Sequence, residues 1–251
     1  MRIGACQTPE IRGDIDAAVA VMQDFAGRAD ASGVDLLLFP ECLLQGYFVT
    51  KEHLGGQALE IDSPRFGSVL SSLARLPQTL VFGMIERAGG SYYNTAVVIA
   101  GGRLVSRYRK TFLTSGEALF TAGHSYPVFD CAGVRLGINI CYDTQHPQAA
   151  AAVAATGAQA LLVPAQNMMR REKAFWWQTR HNEIRAHRAR ETGMWIASAD
   201  VTGERDGTHI GLGPTGFLNP AGEVLSQVPA GVTDMATTDI NPPRQPKANK
   251  A

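Results

Sequence analysis

In the segment RLGINICYD, residues 135–143, an apolar strand pattern ends at Cys141. In an α/β protein, side chains at the C-terminal end of a buried strand emerge into the crevice where ligands collect. A thiol at that place is a candidate nucleophile. Two other apolar runs end in Glu41 and in Lys110. A thiol, a carboxylate and an ammonium, each just past a strand, predict a site for covalent catalysis.

Patterns typical of strands and of helices alternate along the chain. Apolar residues at helical spacing predict helices at about 14–28, from 63 onward, at 147–155 and, as one long helix, at about 171–191. Apolar runs bounded by turn residues predict strands between these helices. This order predicts an α/β protein with mixed sheets covered by helices, rather than one purely parallel sheet. The arginines of the long helix are expected on a solvated or subunit-contact face.

The chain shows no repeat and no convincing linker, so we expect a single domain over residues 1–240. The segment 241–251 is rich in proline and basic residues and is expected to form an extended tail. A length of 251 residues is enough to bury a substantial core. Domain organisation is therefore predicted to be simple, with one catalytic unit and one tail.

Charge and cysteine usage limit the classes of partner. Lys plus Arg and Asp plus Glu both number 23, so no overall field attracts nucleic acid or an anionic membrane. No apolar stretch approaches the length of a membrane span, and the first residues lack a signal-peptide pattern. The four cysteines have no regular spacing, and Cys141 must stay reduced for chemistry, so the cytoplasm is the expected compartment.

Motifs that suggest a metal or a dinucleotide are weak here. His181 and His187 stand six positions apart on a predicted helix, whereas a zinc pair would need a spacing of four. The run 211–216 fits GxGxxG, but Pro214 interrupts it and a hairpin pattern follows instead of a helix. We therefore expect no metal and no cofactor.

Three short motifs, in this order and at these separations, resemble those of the nitrilase superfamily of carbon–nitrogen hydrolases: FPE at 39–41, YRK at 108–110 and ICYD at 140–143. The resemblance extends over nearly the whole chain through RIGACQ at 2–7, YNTA at 93–96 and GPTGFLNPAG at 213–222. It implies an α/β fold of the family's kind, a four-layer α-β-β-α sandwich with two mixed sheets. It also implies a homodimer or a larger homo-oligomer formed through the outer helices.

The resemblance assigns roles to individual residues. Cys141 would be the nucleophile, and Glu41 the general base that later protonates the leaving group. Lys110 and the backbone N–H of Tyr142 would stabilise the tetrahedral oxyanion. Glu117 would match the family's second glutamate, which orients the substrate and the lysine.

Three further residues are candidates for substrate binding: Tyr47, Gln166 and Asn167. For Asn167, an amide that caps its own loop is an equal alternative. Tyr142 after the nucleophile resembles the amidase and carbamoylase branches, whereas nitrilases usually carry Trp-Glu there. After the ICYD motif the family commonly shows Phe-Pro-Glu, and this chain has HPQ at 146–148 instead, which puts the substrate in question.

The sequence therefore predicts an enzyme that hydrolyses a small non-peptide amide or N-carbamoyl compound through a cysteine thioester and releases ammonia or an amine. Conversion of a nitrile to a carboxylic acid is the second possibility. The alternative from another class is a binding or scaffold protein that keeps the fold without turnover. The intact set of Glu41, Lys110 and Cys141 argues against that alternative.

Overall fold

The computed structural model of the protein describes residues 1–241, which form two β-sheets with helices on their outer faces. The strands are β1 (Arg2–Pro9), β2 (Leu36–Leu38), β3 (Thr79–Ala88), β4 (Ser91–Ala100), β5 (Arg103–Arg109), β6 (Val128–Cys131), β7 (Val134–Ile138), β8 (Ala160–Pro164), β9 (Met168–Arg170), β10 (Trp195–Ala199), β11 (Val201–Arg205), β12 (His209–Gly211), β13 (Gly216–Leu218), β14 (Val224–Gln227) and β15 (Asp234–Asp239). The helices are α1 (Ile15–Asp30), α2 (Lys51–Gln57), α3 (Pro64–Leu73), α4 (Pro147–Ala155), α5 (Arg171–Trp177) and α6 (Arg180–Thr192).

Both sheets are mixed. The first has the strand order β5-β4-β3-β2-β1-β11-β12-β9, and β15 also pairs with β1. Its central strands β1, β2 and β3 are parallel, whereas β3, β4 and β5 are antiparallel. The second has the order β14-β13-β10-β8-β7-β6, with a parallel centre formed by β7, β8 and β10.

Three apolar cores explain the layers. The inner faces of the two sheets share one core, with Val81 and Val98 from the first sheet and Leu136 and Leu162 from the second. A second core lies between the first sheet and helices α1 and α3. A third lies between the second sheet and helices α4 and α6. The four-layer α-β-β-α sandwich that the sequence predicted is confirmed.

Local signals in the sequence set most helix ends. Asp14 caps α1 by accepting a hydrogen bond from the N–H of Ala17 (2.9 Å), and Ser63 caps α3 in front of Pro64. Gly193 ends α6 in the left-handed region at φ 69°, where a glycine has no steric penalty. The starts of α1 and α3 and the end of α6 therefore follow from signals that the sequence displays.

The predicted single helix over 171–191 was wrong, because the structure has two helices there. The guanidinium of Arg180 donates to the carbonyl oxygen of Trp176. In a continuous helix that oxygen would accept from the backbone N–H of Arg180 instead. The solvated face expected for its arginines was also wrong in part, since Arg185 and Arg188 are buried. Arg185 instead donates to the Ser198 hydroxyl at 3.0 Å.

Sequence patterns did not indicate α2, β9, β11 and β12, which are short and lack a clear apolar period. The predicted tail 241–251 lies, apart from Asn241, outside the described residues, and the domain limit at residue 240 stays a prediction. In the part of the chain that the structure describes, every helix is too short or too polar to cross a lipid bilayer.

The backbone of residues 40–44 packs directly on β3. Gly83 donates its N–H to Pro40 O (3.0 Å) and accepts from Leu44 N (3.1 Å). A β-carbon at position 83 would overlap the backbone nitrogen of Cys42 and lie 2.6 Å from the α-carbon of Glu41. The position of Glu41 therefore depends on a glycine in the neighbouring strand.

We expect Gly83→Ala to lower the free energy of unfolding by about 1–3 kcal/mol, the usual cost of overpacking a rigid interior. Gly67→Ala is the matched control, because Gly67 lies inside helix α3 with open space around its α-carbon. Since alanine favours a helix, this control should keep or raise stability. Chemical denaturation of both variants measures the difference, and equal stabilities would show that the close packing at Gly83 is unimportant.

Candidate active site

A buried ammonium lies between two carboxylates beside the first sheet, one just past β2 and the other in a 3₁₀ turn after β5. Lys110 follows β5, and its Nζ donates to Glu41 Oε1 at 2.8 Å and to Glu117 Oε1 at 2.9 Å. All three side chains are at most 1% exposed. Asn94 on β4 donates to the same two oxygens at 2.7 and 3.0 Å. The predicted site residues Glu41, Lys110 and Glu117 therefore lie together. Asn94, which belongs to the motif YNTA, joins them, although no sequence pattern indicates a role for it.

The charges of this cluster support one another. Burial lowers the pKa of Lys110, but the negative charges of Glu41 and Glu117 oppose burial, and the pKa stays well above its ordinary value. Burial raises the pKa of Glu117, but Lys110 and the Thr114 N–H lower it more, so the net shift is downward. Burial raises the pKa of Glu41 despite its contact with Lys110. Glu41 is therefore the carboxylate that takes up a proton more readily.

Cys141 opens a tight 3₁₀ turn (Cys141–Gln145) just after β7. Its backbone lies in the left-handed region at φ 44°, which costs a non-glycine residue about 1–2 kcal/mol. The carboxylate of Asp143 holds this turn by accepting from the N–H groups of Ile140 and Phe112, each at 2.8 Å. The hydroxyl of Tyr108 donates to the same carboxylate at 2.8 Å. No sequence pattern indicates this role of Asp143, although the motif ICYD contains the residue.

The thiol of Cys141 is protonated at rest. Burial raises its pKa well above the ordinary value, and the negative charge of Glu41 adds to that shift. Lys110 and the backbone N–H of Gln166 oppose the shift without cancelling it. A thiol in this environment needs a proton acceptor before it can attack, and the Glu41 carboxylate is a base on the same pocket wall.

A pocket of about 390 Å³ opens onto these groups. Glu41, Lys110 and Cys141 all reach its surface, as do the predicted residues Tyr47, Tyr142, Gln166 and Asn167. The pocket is large enough for a small molecule. The structure therefore brings the predicted nucleophile, the predicted base, the ammonium and the predicted binding residues to one cavity.

The predicted binding residues differ in what their side chains contact. The ring of Tyr47 lies 5.9 Å from Lys110 Nζ, and burial raises the pKa of its hydroxyl, which keeps it protonated. Gln166 uses its side-chain amide inside the protein, donating to Glu10 Oε1 at 2.8 Å. Asn167 places its Oδ1 at 3.9 Å from the sulfur of Cys141. Tyr142 packs edge-on against His146, with ring centroids 4.9 Å apart.

Residues 1–241 contain no group of three or more His, Cys, Asp or Glu side chains arranged to hold a metal ion. The acidic and basic groups at the pocket floor are instead paired with one another. The arrangement therefore offers nucleophilic and acid–base chemistry from side chains.

Comparison with known proteins shows the family. The family model described as carbon-nitrogen hydrolase matches residues 2–246. An (R)-stereoselective amidase from a Pseudomonas species is 28% identical over 218 residues, which cover 84% of this chain and 76% of the amidase. A hydrolase in the pqqF 5′ region of Pseudomonas protegens is 32% identical over 174 residues, covering 67% of this chain and 60% of that protein. For this relative, the match spans less than two thirds of the known chain.

A solved structure, a cysteine variant of the Nesterenkonia AN1 amidase from the nitrilase superfamily, is similar with a TM-score of 0.83 and 26% identity, covering 96% of this chain and 90% of that one. Another structure of that amidase shows the result of Michael addition of acrylamide at its active-site cysteine. With a family match along almost its whole length and this agreement in fold, the chain belongs to the carbon–nitrogen hydrolase family of the nitrilase superfamily.

Proposed function

We propose that the protein hydrolyses a non-peptide C–N bond in a small amide or N-carbamoyl compound through a thioester on Cys141. The observation that carries this proposal is the Lys110 ammonium bridging Glu41 and Glu117 on the wall of the pocket that Cys141 also lines. The adduct on the active-site cysteine of the Nesterenkonia amidase supports a nucleophilic role for the thiol.

Acylation needs one proton transfer and one bond to carbon. Glu41 takes the proton of Cys141, and the sulfur attacks the carbonyl carbon of the substrate. The oxygen gains negative charge, which Lys110 and the backbone N–H of Tyr142 stabilise. One such donor typically contributes about 3 kcal/mol to transition-state stabilisation.

Release of the amine and hydrolysis of the thioester reuse the same base. Protonated Glu41 gives its proton to the leaving nitrogen, and the C–N bond breaks to leave an acyl group on Cys141. The carboxylate of Glu41 then takes a proton from water, whose oxygen attacks the thioester. The acid leaves as the thiol regains its proton, so Glu41 and Cys141 return to their starting states.

Glu117 and Asn94 keep this machinery aligned. Asn94 donates to Glu41, and Glu117 accepts from Lys110. Glu117 also accepts from the backbone N–H of Thr114 at 2.8 Å. Because the pKa of Glu117 is lowered, this carboxylate stays charged while that of Glu41 cycles. Glu117 therefore holds Lys110 in place whether Glu41 is protonated or not.

The nucleophile is tested by Cys141→Ala, which should remove turnover and leave the fold intact. Ammonia release over a panel of amides, N-carbamoyl compounds and nitriles measures activity, and mass spectrometry of the wild type should show an acyl group on Cys141. Cys131→Ser is the matched control, since Cys131 is partly buried near the Thr79 hydroxyl and outside the pocket lining. Retained turnover in Cys141→Ala would refute the assignment.

The pH dependence tests the base. Glu41 must be deprotonated to act, and burial raises its pKa, so kcat/KM should fall as pH drops through a value above the ordinary range of a glutamate, about 4.3. Because the pKa values of Lys110 and Cys141 are raised well above their ordinary values, the rate should then hold steady on the alkaline side. Glu41→Gln should lower kcat by about 10²–10⁴-fold.

A rate that climbs continuously to pH 9 in step with ionisation of the thiol would contradict this role for Glu41. Near wild-type kcat in Glu41→Gln would contradict it as well. Thermal unfolding of the variant, compared with the wild type, shows whether any loss comes from unfolding instead.

We also propose that the protein forms at least a homodimer through its outer helices. Phe175 and Trp176 on α5 are 58% and 54% exposed, which is unusual for large apolar side chains that lie next to each other. A neutral net charge does not oppose self-association. This assembly would cover the two rings.

Light scattering should therefore give a mass of about two chains or more across micromolar concentrations. Phe175→Ser combined with Trp176→Ser should shift the mass towards one chain. Val105→Ser is the control, because Val105 is 53% exposed on β5, at the opposite edge of the first sheet from β9, which leads into α5. A wild-type mass of one chain would defeat the proposal.

A further inference from the structure

The side-chain amide of Asn167 is held in one orientation by a buried carboxylate. Asp200, fully buried between β10 and β11, accepts from the backbone N–H of Asn167 at 2.8 Å and from its Nδ2 at 2.5 Å. A third donor, the N–H of Val201, lies 2.9 Å from the same carboxylate. The two backbone N–H groups make Asp200 the hydrogen-bond acceptor here, so the NH₂ end of Asn167 faces its carboxyl group. Its Oδ1 therefore faces Cys141.

An acceptor beside the nucleophile favours a particular kind of substrate. In a reactive complex the carbonyl carbon lies about 3–3.5 Å from the attacking sulfur. The nitrogen on that carbon is then within reach of an oxygen 3.9 Å from the sulfur. A primary amide or a carbamoyl group has N–H donors for this oxygen, whereas an ester or a nitrile has none.

The surroundings of Asp200 are built to keep it in this position. A β-carbon on Gly213 would overlap Asp200 Oδ2 and lie 2.9 Å from Asn167 Nδ2, so the close approach requires a glycine. The backbone N–H of Asp200 donates to the Thr215 hydroxyl at 2.9 Å. Burial raises the pKa of Asp200, and the charge of the buried Arg185 guanidinium opposes that shift. Gly213 and Thr215 belong to the GxGxxG-like run, which has no role in the proposed reaction.

We propose that Asp200 is a positioning residue that fixes the Asn167 oxygen towards Cys141, so that the site selects substrates with an N–H on the scissile carbonyl group. The inference rests on the proposed function and goes one step further, because it separates amide and carbamoyl substrates from nitriles and esters. Asn167 touches the substrate, and Asp200 acts through Asn167.

Asp200→Asn tests this role with almost no change in shape. An asparagine at position 200 presents one NH₂ group where the carboxylate had two acceptors. When the NH₂ group of the asparagine at position 200 faces Asn167, the Asn167 side chain turns so that its Oδ1 accepts from that group. The NH₂ group of Asn167 then points towards Cys141. Asp206→Asn is the matched control, because Asp206 is an exposed aspartate in the turn between β11 and β12.

The measurement is kcat/KM for the best amide from the ammonia-release screen and for the methyl ester of the same acid. Both give the same thioester, so their ratio reports contacts with the leaving group. The amide-to-ester ratio should fall by about tenfold or more in Asp200→Asn and stay unchanged in Asp206→Asn. A purely structural role would lower both rates together and keep the ratio, which would overturn the proposal.

Asn167→Ala provides a second test if Asp200→Asn does not fold. It removes the oxygen directly and should lower the same ratio, and an unchanged ratio would overturn the proposal. If the wild type hydrolyses amides but the amide-to-ester ratio of kcat/KM is unchanged in the variants, only the positioning role is refuted. A wild type that hydrolyses the ester but no amide refutes the proposed function as well.

Discussion

The ion pair of Lys110 with Glu41 and Glu117 is the interaction on which the rest of the site depends. An ammonium removed from water carries a large desolvation penalty, which is offset only when partners lie at hydrogen-bond distance. Here each carboxylate lies within 3 Å of Nζ, and Asn94 donates to both. Removing one partner of a buried pair typically costs about 3–5 kcal/mol. The cluster therefore fixes the ends of three neighbouring chain segments relative to one another.

The same region joins the two sheets. The backbone N–H of Glu41, from the first sheet, donates to the carbonyl of Ala165 beyond β8 in the second, at 3.2 Å. Asp143, beside the nucleophile, accepts from the N–H of Phe112, which lies two residues past Lys110. Neither bond is local in sequence. The proposed base, Glu41, and the proposed nucleophile, Cys141, therefore come together because the two sheets pack face to face.

Environment distinguishes the four cysteines. Cys6 and Cys42 are fully buried, and burial raises the pKa of each thiol. Cys131 is partly buried, and burial raises its pKa too. Cys141 shares the raised pKa, but it lines the pocket that Glu41 and Lys110 also line. Cys141 is therefore distinguished from the other three cysteines by its access to the pocket and by Glu41 and Lys110 beside it, not by a more acidic thiol.

Apolar periods and polar residues at strand ends are local signals, so an α/β fold and the motifs that contain Glu41, Lys110 and Cys141 are visible in the sequence alone. The family resemblance also pointed to Glu117. Tertiary structure alone decided the rest. Asp143 and Asp200 act on partners far away in the chain, the orientation of the Asn167 amide depends on a carboxylate 33 residues away, and the predicted long helix breaks where Arg180 reaches back. Such contacts leave no periodic signal, since they arise only when separate segments pack together.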